Sequence, residues 1–344
     1  MKSMSKDSHK STRETNPDVW IAPNEGMLPD FIVCGAMKSG TTTLHRILER
    51  HPKVFFADDE LHFFNLDDIV EHPNFQRYYC GKWYTQDIAQ DPKAAWEWYA
   101  SQFADAQPGQ LRGEDTTSYI SSARSVERIA LQKKDIKIIV LLRNPVDRTY
   151  SHYWHRVRAG RAIYNFEHTL LYEPDLLLRR SMYYQDLKRF FQLLPNENIR
   201  VYLFEDFIKD SEWVIKDLCE FLQIKFEEFP KNALSFHKNR TRIPRFFKLQ
   251  LLSNRILRFK DNWRYLRFLP FHSDKYSRAS FFFGRLGKKI SKFINPMVVK
   301  RPPAMKPETR QHLTGFFVRE LNGLNELIGR DVLSVWFSDN RKSK

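Results

Sequence analysis

Apolar residues fall along this chain in two patterns. Some form short continuous runs, and others recur every three or four positions. The clearest run is residues 136–142, IKIIVLL, continuous and β-branched as strands buried on both faces of a parallel sheet are. Phe31-Ile32-Val33-Cys34-Gly35 is a second such run. Lys53-Val54-Phe55-Phe56, after the His51-Pro52 break, and residues 111–115 and 199–204 read as further strands. Helical spacing occupies residues 41–50, 94–104, 121–131, 180–194 and 211–222, and another helix opens at Pro145 and runs to about Arg158. A long final helix is expected over 307–328; its stripe of Leu313, Phe316, Phe317, Leu321, Leu324 and Leu327 reads as core packing. Strand and helix alternate, which predicts an α/β fold of three layers: a central parallel sheet flanked by helices.

The flanks read differently. The first 28 residues are polar and charged, without the apolar stretch of a secretory signal, and read as a mobile tail. The expected catalytic domain is 29–337. No run of about 18 apolar residues occurs in the chain. Three widely spaced cysteines, Cys34, Cys80 and Cys219, show no disulfide framework or metal spacing, so a cytoplasmic, reducing setting is expected.

Charge is uneven. Of the net +15, residues 238–301 hold +16, from 18 Lys/Arg and the two acids Asp261 and Asp274; the remainder sums to −1. This basic insert is interleaved with aromatics such as Phe246, Phe247, Trp263 and Phe271. It suits an acidic saccharide or an anionic membrane surface, or it is a solvated insert beside the cleft. Nucleic acid is not expected, since no recognition motif accompanies the charge.

Candidate chemistry starts where the first run ends. Lys38-Ser39-Gly40-Thr41-Thr42-Thr43 follows a strand and opens a helix. Helix mouths carry unpaired N–H groups and a partial positive charge, so they hold phosphate-like anions. This is not the G-x-x-x-x-G-K-[ST] loop, because Lys38 precedes Gly40, nor is it G-x-G-x-x-G. A helix start that merely holds threonines is the plain alternative. Three more segments belong at strand ends: Asp58-Asp59-Glu60-Leu61-His62-Phe63-Phe64, Glu114-Asp115-Thr116-Thr117-Ser118-Tyr119, and the strand that delivers Arg143. Open α/β sheets bind ligands beyond the carboxyl ends of their strands.

Together these segments resemble the sulfotransferases that use 3′-phosphoadenosine 5′-phosphosulfate (PAPS). The resemblance covers about residues 30–222, and more loosely 301–337. Lys38, Ser39, Gly40, Thr41 and Thr42, with Thr43 beside them, match the 5′-phosphosulfate loop, and Arg143 with Ser151 eight residues later matches the 3′-phosphate motif. Glu60-Leu61-His62-Phe63-Phe64 resembles the E-x-H-F-F segment of the heparan sulfate-type branch. The resemblance implies a P-loop-type fold, Glu60 as catalytic base, and Lys38 stabilising the leaving phosphate. It implies His62 as a site member, PAPS as co-substrate with 3′-phosphoadenosine 5′-phosphate (PAP) as product, and no metal. The stretch ending in Tyr183 resembles a segment near the nucleotide, and Arg301 or its basic neighbours would close over the 3′-phosphate. The group sulfated would be a hydroxyl or an amine, on a glycan, a glycolipid or a small alcohol.

Local alternatives stand beside these roles. Asp58 or Asp59 could be the base. Arg148 reads as a charge at the surface or just behind the site, Tyr183 and Tyr184 as core residues, and Trp96 and Trp98 as either cleft walls or helix packing. Asp115 stands where heparan-type members carry a lysine, which weakens the case for a heavily anionic acceptor. The membrane anchor and late disulfide of Golgi members are not found, so the chain looks closer to soluble bacterial-type members. Two other readings make opposite predictions. A P-loop kinase would need lysine after its second glycine and magnesium. A non-catalytic nucleotide or polyanion binder would be indifferent to Glu60→Ala.

Overall fold

The computed structural model describes residues 17–79, 81–234, 242–257, 291 and 293–338. Its centre is a five-stranded parallel sheet of β1 (Phe31–Gly35), β2 (Val54–Phe56), β5 (Leu111–Asp115), β6 (Lys137–Leu142) and β7 (Ile199–Leu203) in the order β2-β5-β1-β6-β7. Between β2 and β5 the chain makes a small hairpin, β3 (Arg77–Tyr79) with β4 (Lys82–Tyr84).

Alternation along the strands divides the core in two. Ile32, Cys34, Ile138, Val140 and Leu142 face one layer of helices, and Phe31, Val33, Ile139 and Leu141 face the other. On the second side lie α1 (Thr41–Leu48) and α9 (Ser211–Leu222); on the first lie α3 (Ala123–Ala130), α4 (Pro145–Arg158) and α7 (Tyr183–Leu193). Both sheet faces are covered, as continuous apolar strands require. Burial also accounts for Cys34 and Cys219 as free thiols; Cys80 lies outside the described residues.

Topology positions the site. From β1 the chain moves outward to β2 and β5, then passes to the opposite side for β6 and β7. The carboxyl end of β1 is therefore where the connections diverge, the usual ligand crevice of such sheets. Three loops meet there: the one after β1, the one after β5 and the one after β6.

The strands and most helices lie within a few residues of their expected bounds. Four expectations need correction. Residues 17–28 are packed, because Trp20 is buried against Phe63 and the Arg128 guanidinium, and the Trp96 indole donates to the Val19 carbonyl at 3.0 Å. Only residues 1–16 of the expected tail lie outside the description. The final helix is two helices, Pro307–Glu320 and Leu324–Ile328, broken at Gly323 with φ 89°, where a side chain would strike the Tyr184 ring. Its apolar stripe still packs into the core. The helix expected from residue 180 starts at Tyr183, after a 3-10 turn over Arg179–Ser181.

Arg148 is the fourth. It is fully buried, not a surface charge. Its guanidinium donates to Ser181 Oγ and to the Leu177 carbonyl, and burial pushes its pKa down to about 10. Within the basic insert the sequence predicts helical stretches near 245–252 and 264–268; the first falls on a helix over Phe247–Leu257, and the second lies outside the described residues. Among those described, no helix is long and apolar enough to cross a membrane.

Candidate active site

The loop after β1 is wound tightly. Lys38 and Gly40 take left-handed backbone angles, φ 71° and 98°. At Gly40 a Cβ would come within 2.9 Å of the Phe204 ring, so only glycine lets the loop close there. Ser39 is fully buried and its N–H donates to the Ala36 carbonyl at 3.1 Å, so it holds the turn instead of lining the space beyond it. Thr41, Thr42 and Thr43 follow at the mouth of α1, beside Lys38.

Opposite this loop, β6 ends at Leu142 and Arg143 extends from it. Its Nη1 donates to the Lys38 carbonyl at 3.0 Å, and its guanidinium lies 4.8 Å from the Phe204 ring centre. Tyr183 is buried beneath, its hydroxyl donating to the Arg143 carbonyl at 3.0 Å. Tyr183 therefore supports the arginine from below and does not face the cavity. Asn144 caps α4 by accepting from the Val146 and Asp147 N–H groups at 3.0 and 3.3 Å, and Pro145 starts the first turn. Two turns further along α4, Ser151 reaches the cavity.

One cavity of about 900 Å³ is lined by Lys38, Gly40, Thr41, Arg143 and Ser151, and on its other side by Glu60. The groups expected to hold two separated anions, and the expected base, share a single space. Arg301 is exposed and is not among the lining residues. Asp58 and Asp59 are exposed and likewise off the cavity wall, which leaves Glu60 as the carboxylate of its segment that faces it. Trp96 and Trp98 pack around Phe63 in the core, away from the cavity.

The two sides differ electrically. Burial, together with Arg158 and Arg143, holds the Lys38 ammonium down to about 8. His155, one turn beyond Ser151, is held down to about 3 by burial and by Lys38, Arg158 and other arginines. No carboxylate of the described residues pairs with Lys38 or Arg143. This is an unneutralised positive pocket, and a bound dianion would relieve it.

Across the cavity every charge has a partner. Glu60 accepts from Thr117 Oγ1 at 2.7 Å and stands 3.5 Å from His62 Nε2. Burial and the nearby Arg180 charge lower the His62 pKa against the pull of Glu60, so the imidazole is neutral at pH 7. Its Nδ1 lies 3.1 Å from Ser118 Oγ. Arg180 pairs with the buried Glu71 carboxylate at 2.9 Å. The segment after β5 acts as a cradle: Thr116 Oγ1 accepts from the Leu61 and His62 N–H groups at 3.1 and 3.3 Å and donates to Glu114 at 3.2 Å. Glu114, fully buried, has its pKa raised to about 7 by desolvation and accepts from Tyr99 at 2.5 Å. Asp115 turns away to His45 of α1, 3.2 Å off, and does not line the cavity.

Sequence reading missed Glu71, His72, Asn74 and Phe75, which lie on an irregular segment without periodicity and supply much of the second wall. It also missed His155, although its signal was there: residues four apart on a helix share a face, and Ser151 was already chosen.

The sulfotransferase family pattern matches residues 29–228. The membrane-associated sulfotransferase kil1 of Dictyostelium discoideum is 32% identical over 184 residues, covering 50% of this chain and 34% of that protein. Mouse heparan sulfate glucosamine 3-O-sulfotransferase 5 is 27% identical over 186 residues, covering 51% and 47%. The chain thus spans less than half the length of either relative. The crystal structure of a sulfotransferase from Alicyclobacillus acidocaldarius superposes with a TM-score of 0.57 at 23% identity, over 90% of this chain and 98% of that one, and shares the fold. The family match runs over more than half the chain and takes in both anion loops and the Glu60 segment, and on that ground this protein belongs to the sulfotransferase family.

Proposed function

We propose that this protein transfers a sulfuryl group from PAPS to a hydroxyl of a glycan or glycolipid. The observation that carries the reading is the shared cavity: Lys38, Thr41, Arg143, Ser151 and Glu60 line one space, with its positive charge gathered on one side. In this reading Lys38 and the mouth of α1 hold the 5′-phosphosulfate, while Arg143 and Ser151 grip the 3′-phosphate. Glu60, oriented by Thr117 and by neutral His62, takes the acceptor proton as the new S–O bond forms. The bond from sulfur to the bridging oxygen breaks, and Lys38 stabilises the charge that collects on the departing phosphate. Transfers of this kind depend on positioning and charge stabilisation more than on covalent help.

A hydroxyl of a sugar is favoured by the likeness to the mouse relative, a heparan sulfate glucosamine 3-O-sulfotransferase. The second wall qualifies it. Its charges are paired, and Asp115 is engaged with His45, so the wall suits an acceptor of modest charge. The test is transfer of labelled sulfate from PAPS to a panel of glycans, glycolipids and small alcohols, with calorimetry of PAP binding in a metal-free buffer. Micromolar PAP binding and a labelled product are expected. Failure to bind PAP would overturn the reading.

A further inference from the structure

Helix α10 (Phe247–Leu257) packs against the core through Phe247 and Leu251, but it also buries two polar side chains and leaves an apolar row outside. Its buried face is polar at Gln250 and Asn254, while its open face carries Leu249, Leu252 and Ile256, which are 38%, 55% and 66% exposed. These three recur at i, i+3 and i+7 and form one stripe along the helix. Buried polar groups are kept only when bonded, and these are. Asn254 Nδ2 donates to the Val157 and Ala162 carbonyls at 3.2 and 2.8 Å, and Gln250 Nε2 donates to Asn254 Oδ1 at 2.7 Å. With Phe247, whose ring centre lies 5.4 Å from that of Trp154 on α4, and the half-buried Leu251, these bonds fasten the helix to α4 and fix the apolar stripe outward.

The neighbouring strand end continues the stripe. Asn295 Nδ2 donates to the Phe246 carbonyl at 2.9 Å, and β8 (Arg242–Pro244) pairs with β9 (Met297–Val299). Beside them Phe246, Phe293 and Ile294 are exposed, Phe293 to 89%. Large exposed apolar patches mark interaction sites. The chemistry around this one is one-sided: Arg242, Arg245, Lys248, Arg255, Lys300 and Arg301 are all exposed, and residues 242–257 and 293–301 contain no acid.

We propose that this face, α10 with the 293–299 segment, docks onto an anionic lipid surface. Leu249, Leu252, Ile256 and Phe293 enter the headgroup boundary, and the surrounding cations meet the negative headgroups. An amphipathic helix with a basic border lies in the membrane plane in just this way. An acidic saccharide would satisfy the cations but offers nothing to a row of leucine, isoleucine and phenylalanine. The inference concerns a surface outside the cavity and does not rest on the proposed reaction.

The experiment is co-sedimentation of the full chain with vesicles of phosphatidylcholine alone or with 30% phosphatidylglycerol, compared with binding to heparin. The wild type is expected to bind the anionic vesicles and to lose that binding as salt screens the charge. Leu249→Ser/Leu252→Ser/Ile256→Ser should bind vesicles at least tenfold more weakly while keeping heparin binding, PAP affinity and its circular dichroism spectrum. Lys248→Glu/Arg255→Glu should weaken binding to both. A wild type that ignores both vesicle types overturns the proposal. So does an apolar variant that still binds vesicles fully, which would reduce the face to charge alone. A wild-type dimer made monomeric by the apolar substitutions, without vesicle binding, would assign the face to a second copy and also overturn it.

Discussion

The two walls of the cavity are built on opposite electrostatic plans. The donor wall concentrates Lys38, Arg143 and the charge of Arg158 without a carboxylate to answer them, and the strain shows in the depressed Lys38 and His155. The acceptor wall gives each charge a partner: Arg180 pairs with Glu71, and Glu60 accepts from Thr117 beside neutral His62. Gathering like charge in a half-buried place costs stability, and a protein keeps such an arrangement where a ligand supplies the missing charge. The paired wall can orient an acceptor without drawing in a second strong anion. In the proposed reaction, that contrast would separate the wall that holds the donor from the wall that takes the acceptor proton.

The sharpest way to break the contrast is at the base. Glu60→Gln should lower turnover by ~10²–10⁴-fold while leaving PAP affinity unchanged. Retained turnover would remove Glu60 from its role, and a parallel loss of PAP affinity would show that the walls are not separable. Next in size is Arg143→Ala. A charge-assisted contact contributes about 1.5–3 kcal/mol, so PAP should bind roughly 10–100-fold more weakly by calorimetry. Equal affinity would take Arg143 out of the donor wall.

Lys38 sharpens the comparison through pH. In the free protein its proton is held only up to a pKa of about 8. A bound dianion favours the charged form and raises that value. Donor affinity should therefore be full below pH 8 and fall above it, by at most about tenfold per pH unit, until the pKa of the complex is passed. Calorimetry in buffers of different ionisation heat would report the proton uptake. Lys38→Met should flatten the profile, and by removing a buried unpaired cation it should raise the melting temperature of the free protein. A sloping profile in that variant would place the titration elsewhere. The smallest expected effect is on the paired wall: Glu71→Gln leaves Arg180 without its carboxylate and should change acceptor KM by a few-fold, with PAP affinity constant. A change in PAP affinity instead would mean that Arg180 serves the donor.

Legibility in the sequence followed the same division. The donor wall sits on regular elements: a strand that ends in a loop, a helix mouth, and an arginine at the next strand's end. Short-range rules point to Lys38, Thr41 and Arg143 directly, whereas Ser151 enters only through the family resemblance; all four line the cavity. The acceptor wall draws on residues 71–75, an irregular stretch whose place is set by contacts such as Glu71 with Arg180, 109 positions away. No local pattern reports such a pairing. Tyr183 is buried, as its core reading expects, and lies under Arg143 instead of facing the cavity as its resemblance to a nucleotide segment implies; Arg301 stays outside the cavity. In both, the segment was placed near the site, yet side-chain direction depends on the packing around it.

Taken alone, the order of residues settled the alternation of strand and helix, the parallel sheet covered on both faces, and the glycine-containing loop that opens α1 after β1. Each follows from periodicity, from burial of continuous apolar runs, or from the break between a strand pattern and a helix pattern. Tertiary structure decided that the loops after β1, β5 and β6 meet over one cavity, that Asp115 faces His45 and not the cavity, and that α10 turns Leu249, Leu252 and Ile256 outward. Those outcomes depend on which surfaces compete for the same space, and that competition exists only once the chain has closed on itself.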